Sequence, residues 1–220
     1  IAKAWGEVIA PSPFIVSTMA KRFSPAAREH DGPISFAIVT RSSRPFAVVP
    51  FGGVAGTRVL TASDGAHVAL ENAAADDYAP SLRLAEGSVA TEFTPDAARE
   101  LAIVWAAEAA GCAKRMLDTA VAYAKERKQF DQPIGKFQVI KHYLANAQML
   151  TELAETAVIV ACSDPLRVRS ATSYAFDSAL KVAETAVQVH GGLGFTWEMG
   201  LHMYLRHINT LRELTLALDL

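Results

Sequence analysis

Two short segments hold residue types suited to binding a ligand that contains a diphosphate. In the first, Arg127 is followed by Phe130 and Gln138, so a guanidinium that pairs with phosphate oxygens lies near a ring that can stack on a base. In the second, Gln188 precedes Gly191-Gly192-Leu193-Gly194, and three glycines within four residues allow another group to approach the backbone closely. Taken singly, each segment also has a simpler explanation: a basic helix end in the first and a glycine helix cap in the second.

Other common chemistries find no support in the sequence. The six histidines show no metal-ligand spacing, so we predict no metal site. There is no G-x-S-x-G nucleophile elbow, no Walker A loop and no strand-linked G-x-G-x-x-G. A formal net charge of −2 gives no electrostatic footprint for nucleic acid. The two cysteines lie far apart and no apolar run is long enough for a membrane span, which predicts a cytoplasmic protein without a membrane span.

The secondary structure that must position these segments is predicted to change near residue 95, from short elements to long helices. Eight of the ten prolines lie at or before Pro95. Residues 1–33 have the pattern of short helices: Ala2–Ile9 before the break at Pro11-Ser-Pro13, and Phe14–Phe23 before Ser24-Pro25. Residues 34–93 are rich in β-branched residues bounded by Gly, Pro, Asp and Asn, which is typical of short strands. The predicted strands are Ser35–Arg41, Pro45–Val49, Thr57–Thr61, His67–Glu71 and Leu82–Phe93.

From Thr94 onwards the pattern predicts four long helices. Thr94 is a good N-cap and Pro95 suits the first helical turn, so the first helix is expected over 95–128. The others are expected over 137–162, over 168–190 and from 198 towards 218. Four long helices joined by short loops predict an antiparallel bundle. Because 51% of the residues are hydrophobic, this bundle is also expected to carry most of a subunit interface.

The two segments together resemble the two signatures of the C-terminal helical domain of acyl-CoA dehydrogenases. Residues 123–138 resemble the first signature, and residues 188–195, with Arg206 downstream, resemble the second. The resemblance is strong from about Thr94 to Arg206, loose over the β segment and weak before residue 35. It implies an α+β, mostly α fold of a shortened acyl-CoA dehydrogenase type. Its parts would be a remnant of the N-terminal helical domain (1–33), a small β domain (34–93) and an antiparallel four-helix domain (94–220).

The same resemblance implies a chemistry and a set of binding residues. The family desaturates an acyl-CoA thioester between its α and β carbons, with a carboxylate base on one face of the substrate and FAD on the other. Electron-transfer flavoprotein is the implied electron acceptor. In the family the two signatures bind the ADP half of the FAD held by a neighbouring subunit. Six residues are implied as cofactor-binding: Arg127 at the pyrophosphate, Phe130 and Gln138 on the adenine and ribityl side, and Gln188, Gly191 and Gly192 at the adenosine and phosphates.

The chain departs from the family pattern at the positions that would do the chemistry. The commonest catalytic Glu of the family corresponds to Thr215 here, and the alternative base position corresponds to Leu101. Neither can act as a base at neutral pH. Asp131 stands where the family usually has Gly. Residues 31–93 contain nothing like the Thr-Glu-Pro-x-x-Gly-Ser-Asp stretch that cradles the flavin ring.

This division resembles the two-gene acyl-CoA dehydrogenases of actinobacterial steroid side-chain degradation, in which unlike subunits share each active site of an α2β2 assembly. It predicts a subunit with no catalytic residue of its own that binds FAD at an interface. A second acyl-CoA dehydrogenase subunit would carry the catalytic Glu, and the substrate would be an acyl-CoA, with a steroid side chain as one candidate. Two alternatives stay open: a self-sufficient homomeric enzyme that uses Glu100, Glu108 or Glu213, and a non-enzymatic scaffold of the same fold.

Overall fold

Helices dominate the computed structural model, which describes residues 1–39, 47–61, 67–69, 75–76, 78–87 and 90–220. The helices are α1 (Ala2–Gly6), α2 (Phe14–Phe23), α3 (Pro25–Arg28), α4 (Pro95–Glu126), α5 (Gln138–Ser163), α6 (Val168–His190) and α7 (Leu201–Leu216). The strands are β1 (Ile34–Phe36), β2 (Ile38–Val39), β3 (Ala47–Val49), β4 (Arg58–Leu60), β5 (His67–Ala69), β6 (Ala75–Asp76), β7 (Leu84–Gly87), β8 (Lys128–Gln129) and β9 (Gln132–Pro133). No described helix is both long and apolar enough to cross a membrane.

Backbone contacts divide the chain into two compact units. One comprises Ile1–Ile9 with Ile103–Arg212, and the other comprises Ala10–Ala102 with Glu213–Leu220. Helices α4 and α7 each run from one unit into the other. The domain limits expected from the sequence, at 33/34 and 93/94, remain a prediction.

The strands of the second unit form two small sheets. In one, β4 lies between β1, to which it is parallel, and β5, to which it is antiparallel. The other has the order β2-β3-β7-β6 and is antiparallel throughout. Each of the five predicted segments contains strand residues, but the first, Ser35–Arg41, is divided into β1 and β2, which belong to different sheets. Residues 40–41, 45–46, 70–71 and 88–89 of the predicted strands lie outside the described residues. Strand β6 was not predicted, because Ala and Asp are poor strand formers and its pairing with β7 uses backbone groups alone.

Helix α4 begins where its capping residues indicate. The Thr94 hydroxyl accepts a hydrogen bond from the Ala97 N–H at 3.2 Å, and the helix continues for 32 residues, about 48 Å at the usual rise per residue. Its apolar stripe is buried, with Trp105 and Met116 almost inaccessible to solvent. This burial stabilises the helix far more than its intrinsic propensity does.

The antiparallel four-helix bundle predicted for the C-terminal part is confirmed, with small changes of boundary: α4 ends at Glu126 rather than 128, and α5 runs over Gln138–Ser163 rather than 137–162. Helices α5 and α6 pack against each other, and α6 has the predicted bounds. Helix α7 begins at Leu201 rather than near 198. The cause is a turn in which the Gly200 N–H donates to the Trp197 carbonyl at 3.1 Å while Gly200 adopts a φ of +64°, which excludes those residues from a right-handed helix.

The N-terminal helix α1 is shorter than the expected helix from Ala2 to Ile9, and it crosses α4 at very close range. A Cβ atom on Gly6 would lie 1.9 Å from the Glu108 carbonyl oxygen, and one on Gly111 would lie 1.9 Å from the Lys3 carbonyl oxygen. Both positions therefore require glycine for the two backbones to meet. The helix ends just after this crossing, and Ile9 has a φ of +38°.

Candidate cofactor-binding site

The segment that contains Arg127 folds back on the end of α4. The Arg127 N–H donates to the Tyr123 carbonyl at 2.8 Å, which closes the helix, and the Ile134 N–H donates to the Arg127 carbonyl at 2.8 Å. The Arg127 side chain is exposed, and it has no carboxylate partner among the residues that the structure describes. Its guanidinium is therefore available to an anionic ligand.

Phe130 occupies a strained and exposed position next to this cation. Strands β8 and β9 form a hairpin whose two-residue turn is Phe130-Asp131. Both residues have positive φ, 52° and 61°, as a type I′ turn requires. For a residue such as Phe this conformation costs about 1–2 kcal/mol, whereas Asp tolerates it better. The Phe130 ring is nonetheless 86% exposed, so it is presented for contact with another molecule, and Asp131 fits the turn in place of glycine.

The three glycines after α6 differ in whether backbone conformation or local packing requires glycine at that position. Gly191 caps the helix with a φ of +61°, so its backbone favours glycine. A Cβ on Gly194 would lie 2.6 Å from the Val187 carbonyl oxygen, so local packing requires glycine there. Gly192 has no positive φ, and an added Cβ would meet no atom within 4 Å. The open space above Gly191 and Gly192 is what the close approach of a ligand needs.

The two glutamines lie on exposed helix surfaces near these segments. Gln138 is the first residue of α5 and is exposed. Gln188 lies on the last turn of α6 and lines a groove of about 640 Å³ between α5 and α6. The other residues that line the groove are Tyr143, Asn146, Met149, Leu150, Lys181, Glu184 and Thr185.

One contact brings the two segments together at the same end of the helical unit. The His190 ring stacks on the Tyr123 ring, with centroids 4.3 Å apart and an interplanar angle of 24°. Tyr123 lies one helical turn before Arg127, and His190 directly precedes Gly191. The structure therefore joins the segment of Arg127 and Phe130 to the glycine turn, as a shared binding site requires.

Comparison with known proteins decides the family. Residues 96–215 match the model of the acyl-CoA dehydrogenase C-terminal domain, which is more than half of the chain. The chain belongs to the acyl-CoA dehydrogenase family. The predicted membership in a family of oxidoreductases that act on CH–CH groups is thereby confirmed.

Individual relatives agree with this assignment. Acyl-CoA dehydrogenase FadE34 of Mycobacterium tuberculosis is 36% identical over 178 residues, covering 70% of this chain and 25% of FadE34. Acyl-CoA dehydrogenase IpdE2 of the same organism is 32% identical over 219 residues, covering 94% of this chain and 69% of IpdE2. The chain thus spans about a quarter of one relative and about two thirds of the other. Among solved structures, a Tcur3481–Tcur3483 steroid ACAD variant has a TM-score of 0.74 at 19% identity over 96% of this chain and 74% of its own, which confirms the expected fold.

The two positions at which the resemblance places the family's base are part of the protein interior. Leu101 is fully buried and Thr215 is 6% exposed. The neighbouring Glu100 carboxylate accepts hydrogen bonds from the Arg22 guanidinium on both oxygens, and this bonding lowers the Glu100 pKa below its ordinary value. A catalytic base would need the opposite shift. Glu213 lies in the last turn of α7, with its side chain exposed.

Glu108 forms a buried pair that sequence reasoning did not find. Its Oε1 lies 2.9 Å from the His207 Nε2, and both side chains are almost completely buried. Burial raises the pKa of the adjacent Cys112 thiol, and the Glu108 charge raises it further. The pair joins α4 to α7, and its members are 99 positions apart in sequence, so no local spacing could have indicated it. Glu108 therefore stabilises the packing of two helices within the bundle.

Proposed function

We propose that this chain is a subunit of an FAD-dependent acyl-CoA dehydrogenase and that it completes the FAD site of a partner subunit without a catalytic residue of its own. One observation carries the proposal. An added Cβ on Gly192 would meet no atom of the described residues within 4 Å. The turn that holds Gly192 is linked through the stack of His190 on Tyr123 to the segment of Arg127, whose side chain has no carboxylate partner among the described residues. A molecule that approaches from outside supplies a reason for glycine there. The two base positions, Leu101 and Thr215, are buried and carry no carboxylate.

The residues of the site suit the ADP half of FAD. Arg127 would pair with the pyrophosphate in a bidentate way, and the exposed Phe130 ring would stack on or beside the adenine. Gln188 would donate and accept hydrogen bonds through its amide, and Gly191 with Gly192 would let the phosphates and ribose approach the backbone. FAD, when bound, accepts the hydride from the substrate. Gln138, at the start of α5, would line the ribityl side.

The outer surface of α5 supports a role as a subunit. This helix buries only small residues: Ala147, Thr151, Ala154, Ala157 and Ala161. Five of its larger apolar side chains are between 37% and 64% exposed: Val139, Tyr143, Met149, Leu153 and Ile159. An exposed apolar helix face of this kind is typical of a surface that another chain covers. An obligate interface of this sort buries on the order of 2,000 Å² or more.

The partner is proposed to be a second, unlike acyl-CoA dehydrogenase subunit in an α2β2 assembly. Because neither of the two base positions carries a carboxylate, we propose that the catalytic Glu comes from another chain. One solved structure of the same fold is named Tcur3481–Tcur3483 and described as a steroid ACAD, which supports an assembly of two unlike chains and a steroid side-chain acyl-CoA as the substrate class. Electron-transfer flavoprotein is proposed as the electron acceptor because the family resemblance implies it.

Gly192→Ala tests the proposal most directly. The added methyl meets nothing within the chain and removes backbone freedom from the unfolded state, so stability should be unchanged or slightly higher. In the complex of this chain with its partner, FAD should bind at least about tenfold more weakly, because the methyl occupies the space of the ligand. The measurements are the flavin-to-protein absorbance ratio of the purified complex and the FAD dissociation constant after flavin removal.

Gly200→Ala is the matched control. Gly200 also has open space around it but has a φ of +64°, so this variant should lose stability by about 1 kcal/mol while FAD binding is retained. Arg127→Ala should weaken FAD binding about ten- to a hundredfold, the contribution of a charge-assisted bidentate contact. Normal flavin content in both Gly192→Ala and Arg127→Ala would refute the proposal and favour the scaffold. Full flavin content and turnover in the chain purified alone would favour the homomeric enzyme.

A further inference from the structure

His190 lies between the two segments of the candidate site and is buried, with 3% of its surface exposed. Its Nδ1 is 2.7 Å from the Ala186 carbonyl oxygen. A carbonyl oxygen only accepts, so the hydrogen is on Nδ1 and Nε2 is left as an acceptor. Nε2 is buried and has no hydrogen-bond partner among the described residues. The imidazole therefore contributes one hydrogen bond and one flat ring, and the ring contacts Tyr123.

A continuous series of contacts runs through this ring. On one side, His190 is followed by Gly191, the left-handed cap of α6, and a Cβ on Gly194 would lie 3.2 Å from the His190 Cβ. On the other side, Tyr123 accepts the backbone hydrogen bond of Arg127 that ends α4. The stacked pair is thus the place where the glycine turn and the Arg127 hairpin are held relative to each other.

We propose that His190 is a positioning residue for the cofactor site. Its ring, stacked on Tyr123, fixes the hairpin of Arg127 relative to the turn of Gly191 and Gly192, so that both contact one dinucleotide. The inference rests on the proposed function of these two segments. His190 does not touch the ligand itself, since its only free ring nitrogen is buried.

Two pairs of variants separate the ring from the rest of each side chain. His190→Asn keeps an amide donor near Nδ1 but loses the ring, whereas His190→Phe keeps the ring and loses the hydrogen bond. Tyr123→Leu loses its ring and Tyr123→Phe keeps it. In the complex with the partner subunit, the two ring-loss variants should weaken FAD binding by about three- to tenfold, the change expected from losing one aromatic pair. The two ring-retaining variants should stay within about twofold of wild type.

Amide hydrogen exchange supplies the readout that does not depend on the flavin. In both ring-loss variants, exchange should become faster by about three- to tenfold across residues 127–136. Residues 147–157, in the middle of α5, should be unchanged. The double variant of His190→Asn with Tyr123→Leu should show no larger effect than either single change, because both remove the same contact.

Four results would overturn the inference. The first three are equal behaviour of ring-loss and ring-retaining variants, additive effects in the double variant, and unchanged exchange over 127–136 in the ring-loss variants. The fourth is a general loss of stability, with faster exchange in α5 as well, because it would assign His190 a purely structural role. If Arg127→Ala and Gly192→Ala leave FAD binding intact, the proposed function fails, whereas the exchange experiment still decides whether His190 couples the two segments.

Discussion

Glu108→Gln separates the heteromeric enzyme from the self-sufficient one most sharply. Of the three acids that could serve as a displaced base, Glu108 is the one that is buried and hydrogen-bonded to a histidine, an arrangement that also occurs in catalytic pairs. If Glu108 only joins α4 to α7, the variant should be less stable and fully competent. If it is the base, the variant should be stable enough to purify and catalytically inactive.

The expected loss of stability follows from the geometry of the pair. Its Oε1 is 2.9 Å from the His207 Nε2, and a buried hydrogen bond to a charged group contributes about 1.5–3 kcal/mol. The Gln amide oxygen can still accept from His207, so only the charge assistance is lost, about 1–2 kcal/mol. For a chain of this size that corresponds to a fall in Tm of about 2–8 °C. Glu108→Ala removes this partner of His207 altogether and should cost about 3–5 kcal/mol.

The assay is steady-state turnover of an acyl-CoA by the flavin-loaded complex, with Tm measured on the same preparation. Ile208→Val is the matched control, because Ile208 is fully buried next to His207 and the change costs about 0.5–1.5 kcal/mol without altering a polar atom. We expect kcat to stay within a few-fold of wild type in both variants. A fall in kcat of about 10²–10⁴ in Glu108→Gln, with flavin bound and Tm close to that of Ile208→Val, would refute the reasoning and identify Glu108 as the base.

Three further predictions concern the fold. Cys162 is exposed and should react with a thiol reagent in the native protein. Cys112 is buried and its thiol pKa is raised, so it should react only after unfolding. Two fast-reacting thiols in the native protein would contradict this prediction. Gly111→Ala should destabilise the chain by about 1–3 kcal/mol by separating α1 from α4, measured by denaturant unfolding, and a neutral result would refute the crossing. Because hydrogen bonding from Arg22 lowers the Glu100 pKa below 4.5, the stability that Glu100 contributes is present above that pH and is lost as the pH falls through the folded pKa. Stability curves of wild type and Glu100→Gln should therefore converge at low pH, and a constant difference would contradict the assignment.

The long helices could be predicted because their limits are marked by local chemistry. Thr94 provides a side-chain oxygen for the first turn of α4, and Gly191 supplies the left-handed cap of α6. Where tertiary contacts set the limit, the prediction failed. Helix α1 ends at Gly6, which packs directly on the backbone of α4, and Ile9 then turns the chain with a φ of +38°. The late start of α7 depends on the conformation of Gly200, which could equally have continued a helix.

The candidate site was predictable only as far as its two segments. Residues such as Arg127 and Gly192 stand in recognisable spacings within a few positions of each other, so the sequence alone indicated them. The contact that joins the segments, between His190 and Tyr123, connects residues far apart in the chain, as does the pair of Glu108 with His207. No periodicity links such residues, because the two members of each pair lie on different helices.

The structure adds a physical distinction between the residues that match the family signatures and those that do not. At the positions where the resemblance places the base, the residues have ordinary internal roles, since Leu101 is packed in the core and its neighbour Glu100 is bound to Arg22. Two of the matching residues differ from these. Phe130 meets the Phe137 ring edge-on but remains exposed in a strained turn, and Gly192 has open space around it. The strained turn at Phe130 lowers the stability of the chain, and the open space at Gly192 contributes no stability to it. A molecule that binds from outside explains both features. Changes at these residues should therefore impair cofactor binding without destabilising the chain, the reverse of the pattern expected for core residues.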